Sequence, residues 1–166
     1  MMEQVEISYR FSTPIQIKMC DLDPFAHVNN GVQCNYFDYG RSCYFECVFG
    51  EKIDWLHMDM VLVHTELDFK NPIKTHDEIV CETAIYHIGN KSISMIQQLR
   101  DIQSGIVKTV CKSVLAGFDR TNEQSAPIQE NTRKLSAISR ESDTLFLYCY
   151  YFVKCKISSE NRIGYF

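Results

Sequence analysis

The sequence predicts an α+β domain: a long antiparallel sheet with one helix laid across its apolar face. Three observations predict it. Residues 31–48 place apolar side chains at helical spacing. Four later segments alternate apolar and polar residues or run β-branched, with Gly-, Asn- or Pro-bearing turns between them. An earlier segment ending at Met19 alternates in the same way. Consecutive strands joined by tight turns pair antiparallel. A sheet with one apolar face needs a covering layer, and a single amphipathic helix supplies it.

Taken in order, the first strand spans Gln4 to Met19, where Ile15, Ile17 and Met19 alternate with Gln16 and Lys18. It stops at Cys20-Asp21-Leu22-Asp23-Pro24, because Pro24 holds Asp23 in extended geometry and offers no ladder donor. The helix runs from Gly31 to Val48, with Val32, Tyr36, Tyr39, Cys43 and Cys47 as its apolar stripe. Asn29 or Asn30 caps its start by offering a side-chain oxygen to an unpaired N–H. Gly40 in mid-helix costs about 1 kcal/mol relative to Ala; a close approach of helix to sheet would explain it. Strands follow at Asp59–Phe69, broken at Asn71-Pro72, and at Glu78–Ile88, turning at Gly89-Asn90. Ile93, Met95, Gln97 and Leu99 mark another, which turns at Gln103-Ser104-Gly105, and Ile106–Phe118 is the last.

Beyond it, Thr121 to Ser142 is polar and reads as loop plus a short helix. Leu145 to Val153 is crowded with aromatics: an extra strand, a packing tail or an exposed sticky segment. The domain is therefore placed at residues 1–130, with residues 131–166 as a C-terminal tail. No internal repeat or low-complexity tract interrupts the sequence.

Composition narrows the function. Hydrophobic residues make up 45% and charged residues 23%, as in ordinary globular domains. A formal net charge of −4 argues against nucleic acid as a partner, since backbone phosphates require a basic face. The N-terminus lacks an apolar h-region and does not read as a secretory signal. The longest apolar run, Leu145 to Val153, is far short of the roughly 20 residues of a spanning helix. These features place the chain in the cytoplasm, away from membranes. Eight cysteines are present, but no CxxC pair completes a metal site. They read as buried free thiols in a reducing compartment. His57, His64, His76 and His87 lack the mutual spacing of metal ligands, so no metal is expected.

The chemistry concentrates in Asp21-Leu22-Asp23-Pro24-Phe25-Ala26-His27-Val28-Asn29-Asn30. Two carboxylates, an imidazole and two amides stand just before the helix. A helix N-terminus presents unpaired N–H groups and partial positive charge, which can stabilise an oxyanion on a carbonyl. A carboxylate beside them can attack that carbonyl or take a proton from water. Each residue alone has a plainer reading: turn residues at Asp21 and Asp23, caps at Asn29 and Asn30, a surface histidine at His27.

Their order together resembles the hotdog thioesterases related to 4-hydroxybenzoyl-CoA thioesterase, through Asp21-x-Asp23-Pro24-x-x-His27-Val28-Asn29-Asn30 continued by Tyr36-Phe37-Asp38-x-x-Arg41. Leu67 to Ile73, Asp77-Glu78-Ile79 and His87 to Ser92 are similar to that family's downstream strands and hairpin, so the likeness spans about Phe11 to Gln129. It implies a sheet wrapped around the helix, paired with a second subunit as a homodimer or homotetramer. Asp23 then matches the catalytic carboxylate, as nucleophile or general base on an acyl-CoA thioester. His27 and Asn29 would orient water or the thioester carbonyl. Asn30, Gly31 and Ser92 would bind substrate, and coenzyme A enters only as part of the substrate, with no other cofactor. Lys70, Lys74, Lys91, Lys108 and Lys112 are candidates for its phosphates, though strand lysines usually serve as solvated edges. Asp21 is expected to be structural and Arg41 to fix the helix through an ion pair. Two positions depart from the family pattern: Ala26 replaces a Gly suited to positive φ, and Gln33 replaces a Tyr. The alternatives are a thioesterase acting on acyl carrier protein and a non-catalytic acyl-CoA-binding protein.

Overall fold

The computed structural model describes residues 7–50, 52–53 and 58–133. His57, the Leu145–Val153 segment and the remainder of the tail lie outside the described residues. The expected boundary at 130/131 falls inside a short helix, α2, at Glu130–Arg133.

Five strands form one antiparallel path. These are β1 (Phe11–Pro14), β2 (Met60–Phe69), β3 (Ile79–Ile88), β4 (Ser92–Asp101) and β5 (Val107–Asp119), in the order β1-β3-β4-β5-β2. A two-residue β6 (Gln124–Ser125) adds to the end of β5. The alternation that marked β3 and β4 in the sequence puts Cys81, Thr83 and Ile85, then Met95, Gln97 and Leu99, on the helix side, all buried.

The first strand is shorter than expected. Among the described residues, which exclude the expected start at residues 4–6, only Phe11–Pro14 pairs with β3, as an edge strand where a proline is tolerated. Ile15 donates one more bond to Ile79 O at 2.8 Å. Ile17 is half-buried, but Met19 is 76% exposed in a single 3-10 turn, Met19–Asp21. Alternation alone could not show where the ladder stops, since an extended chain leaving a sheet keeps the same period.

Helix α1 spans Asn30–Phe49, and Gly50 at φ 70° ends it in the left-handed region that glycine adopts without strain. Its buried face is not the stripe read from the sequence. Gln33, Tyr36, Phe37, Gly40, Arg41, Tyr44 and Phe45 are buried, whereas Tyr39 is 47% exposed and Val32, Cys43 and Cys47 are only partly covered. The phase was misread because a glutamine, a glycine and an arginine sit on the inner face. Gly40 is there for clearance: a Cβ on it would lie 2.4 Å from Cys81 Sγ and 2.9 Å from Cys81 Cβ. That is the close approach expected of it.

Two apolar clusters pin α1 to the sheet on either side of Gly40. One gathers Phe11, Tyr44, Phe45, Ile93, Met95 and Leu115, and the other Val28, Tyr36, Phe37, Ile73, Cys81 and Leu99. Each fully buried aliphatic or aromatic side chain contributes about 1.5–3 kcal/mol. Between them, Gln97 Nε2 donates to Phe37 O at 3.0 Å and to Thr83 Oγ1 at 3.1 Å, locking helix to sheet by polar contacts as well. Cys81 and Cys111 are buried free thiols, but Cys20 is exposed, Cys34 and Cys43 are half-buried and Cys47 is disulfide-bonded. Uniform buried thiols were therefore not realised.

Candidate active site

Between the 3-10 turn and α1 the chain makes a tight loop closed on itself. Leu22 and Val28 bridge, and Asp23 N–H donates to His27 O at 2.7 Å. Asp23 Oδ1 then accepts from the N–H groups of Phe25 at 2.8 Å and His27 at 3.1 Å. The carboxylate is thus aimed by backbone rather than by a rotamer preference alone. Its Oδ2 has no protein partner among the described residues. The turn requires a left-handed residue, and Ala26 supplies it at φ 59°. Val28 N–H to Ile73 O at 2.9 Å, with the His27–Lys74 bridge, ties the loop to the segment after β2.

Asp21 holds the same loop from behind. Burial opposes its charge, yet hydrogen bonds from the Tyr36 hydroxyl at 2.6 Å and the Lys18 N–H at 2.8 Å outweigh that, keeping its carboxyl below the usual range. Burial, then the Asp21 bond, pushes the Tyr36 phenol well above its ordinary value. Asp21 is structural as expected, but its main side-chain partner is a tyrosine on the helix, which the sequence reading did not pair with it.

Asp23, His27, Asn30 and Gln33 line one side of a cleft of about 230 Å³, and Phe69 to Pro72 line the other. The structure therefore brings three of the sequence candidates, Asp23, His27 and Asn30, into one place. Asn29 is not among the lining residues: its Oδ1 caps α1 by accepting from Gly31 N–H at 2.7 Å. That bond occupies the Gly31 N–H, while the N–H of Asn30 has no protein partner among the described residues. Ser92 pairs with Ala116, eight residues along β5 from Lys108, whose carbonyl holds the cleft wall. One chain therefore leaves Ser92 roughly 27 Å from that wall, at about 3.4 Å per residue.

Of the lysines, Lys70 lines the cleft and pairs with Asp68 at 3.1 Å. Lys108 is no solvated edge. Its buried Nζ meets Asp77 at 2.7 Å and donates to Pro72 O at 3.2 Å, so it buttresses the wall. Lys112 pairs with Glu66, and Lys91 reaches Ser125. Arg41 pairs with Asp38 as expected and faces a second cavity of about 310 Å³ among Phe45, Met58, Met60 and Leu115. Among the described residues no group of three His, Cys, Asp or Glu side chains is placed to hold a metal. The residue missed in the sequence is Gln33. It showed there only as a departure from Tyr, and its amphipathic phase was misjudged.

A sheet curled round one long helix, with a polar cleft at the helix start, is the hotdog architecture. The thioesterase superfamily model matches residues 25–108, just over half of the chain, beginning two residues after Asp23. The chain belongs to the thioesterase superfamily and is a thioester hydrolase. A thioesterase from Thermus thermophilus, complexed with coenzyme A and Zn, is similar at 26% identity and TM-score 0.70, covering 81% of this chain and 98% of that one. A predicted thioesterase from Bacillus stearothermophilus is similar at 26% identity and TM-score 0.70, with 76% and 94% covered. A 1,4-dihydroxy-2-naphthoyl-CoA thioesterase from Synechocystis shares the fold at 12% identity and TM-score 0.69, with 76% and 95% covered. No curated protein matches the chain at a significant level.

Proposed function

We propose that the chain hydrolyses acyl-CoA thioesters to the free acid and CoA, with Asp23 as the catalytic carboxylate. The observation that carries this is the Asp23 side chain itself, held by two backbone N–H groups in a cleft at the start of a 20-residue helix. A substrate carbonyl placed there lies near the Asn30 N–H and the positive end of the helix, where developing negative charge is stabilised.

Two routes use the same carboxylate. In one, an Asp23 oxygen attacks the carbonyl carbon, the C–S bond breaks, CoA leaves as thiolate and takes a proton, and water then hydrolyses the mixed anhydride. In the other, Asp23 takes a proton from water as the water attacks the carbonyl carbon, the C–S bond then breaks, and CoA leaves as thiolate and takes up that proton. His27 orients the water or the carbonyl, and Asn29 contributes by fixing the helix start. Coenzyme A enters as part of the substrate, with no metal or other cofactor in either route.

We further propose that two copies pair through β2, or four as a pair of dimers. This ten-residue edge strand is mostly exposed and carries Leu62, Val63 and Phe69 at 44%, 58% and 42% exposure. Long bare edges with apolar side chains are covered in stable proteins. Among the described residues no helix is long and apolar enough to cross a membrane. The cytoplasm is the proposed location on the five free cysteines of the described residues, exposed Cys20 among them, although the disulfide at Cys47 argues the other way.

Thiol release from a panel of short, long and aromatic acyl-CoAs tests the reaction. Release from at least one class is expected. Binding without release would favour a non-catalytic acyl-CoA-binding protein, and release only from acyl carrier protein would move the substrate to that carrier.

A further inference from the structure

Gln33 is 3% exposed, on the inner face of α1, where an uncompensated carboxamide is costly. It is fully engaged. Its Oε1 accepts from the Thr109 hydroxyl at 2.5 Å, and its Nε2 donates to Val28 O at 3.2 Å and to Asn30 Oδ1 at 3.5 Å. Thr109 is itself completely buried on β5. The preceding residues of that strand carry the opposite wall of the cleft. Lys108 O accepts from the N–H groups of Lys70 and Asn71, both at 2.9 Å, and Val107 O accepts from Asn71 Nδ2 at 2.8 Å. The 107–109 segment thus grips one wall directly and the other through Gln33.

We propose that Gln33 is a positioning residue for hydrolysis, setting the cleft width and turning the Asn30 carboxamide so that its Nδ2 faces the thioester carbonyl. A single side chain joins three groups by hydrogen bonds: β5 at Thr109, the Asp23 loop at Val28, and the first helical residue, Asn30. With Asn30 Oδ1 turned toward Gln33, Nδ2 is the half of that amide left for the cleft. The chemistry requires both a donor and an acceptor at position 33. A phenol there, the residue the family pattern carries, has one oxygen for both tasks, so this chain organises the same corner with a different side chain.

This inference rests on the proposed acyl-CoA hydrolysis, and two variants separate their fates. Gln33→Leu keeps the volume and removes all three bonds; Gln33→Glu keeps the shape and the acceptor, and donates to Val28 O only when protonated. For Gln33→Leu, kcat should fall about tenfold to a hundredfold with KM changed by less than about threefold, the signature of misplaced groups rather than lost binding. For Gln33→Glu, the ratio of its kcat to that of the parent should rise as pH falls. Asp23, His27, Lys70 and the Lys108–Asp77 pair surround the same cleft in both proteins, which is why the ratio is read. A ketone analogue, with CH₂ replacing the thioester sulfur of acyl-CoA, gives a readout independent of turnover. It should shift the Asn30 side-chain amide resonance in the parent and not in Gln33→Leu. A parent that hydrolyses acyl-CoA alongside a Gln33→Leu variant of unchanged kcat overturns the positioning role while leaving the reaction intact. An Asn30 resonance that does not move in the parent overturns it irrespective of turnover.

Discussion

Ala26 holds the loop that aims Asp23, at φ 59° without the freedom of glycine. A non-glycine residue in the left-handed region costs about 1–2 kcal/mol, while a glycine there loses about 0.5–1 kcal/mol of chain entropy on folding. The difference predicts that Ala26→Gly raises stability by about 0.5–1 kcal/mol, read from the urea midpoint. Unchanged or lower stability would mean that the loop is not strained at this residue. Gln33 belongs to the same scale: its effect is expected on kcat, through Asn30, and not on affinity. That Asp23, His27 and Asn30 lie at one cleft was legible in the sequence because one motif sets them at the start of a helix. Gln33 and the Asp21–Tyr36 bond were not, because each depends on which helix face turns inward.

At the scale of elements, α1 meets the sheet most closely at Gly40. Adding a methyl there gains about 1 kcal/mol of helix propensity. It also forces contact with Cys81, whose Sγ and Cβ stand 2.4 and 2.9 Å from the new Cβ. Overpacking of a rigid core costs about 1–3 kcal/mol, so Gly40→Ala should destabilise on balance, and Cys81→Ala in the same chain should recover part of the loss. A Gly40→Ala protein as stable as the parent would contradict the close approach. The strands β2 to β5 were legible to within one or two residues because alternation and turn residues agree there. The helix face was not. Its inner side carries Gln33, Gly40 and Arg41, which a hydrophobic pattern assigns outward, and only the packing against Cys81, Gln97 and Thr109 explains them. The end of β1 was hidden for a different reason: Ile15 and Ile17 keep the strand period after the ladder has ended.

For the whole molecule, α1 packs chiefly on β3, β1 and β4, leaving β2 at the far edge with little cover. The proposed pairing through β2 predicts that the parent sediments at twice the chain mass, or at four times for a pair of dimers. Val63→Asp, at a strongly exposed position in the strand, should shift it toward the monomer with little change in unfolding, since surface substitutions rarely exceed about 0.5 kcal/mol. A monomeric parent would sink that assembly. The central claim, that Asp23 performs the chemistry, is tested most directly by kcat/KM for thiol release by the parent and by Asp23→Asn, on whichever acyl-CoA the parent hydrolyses fastest. The variant should fold as the parent does and lose on the order of several hundredfold or more, about 4 kcal/mol of barrier lowering. A folded Asp23→Asn protein within about threefold of the parent, less than about 0.7 kcal/mol, would contradict the claim and send the search for the catalytic group elsewhere in the cleft.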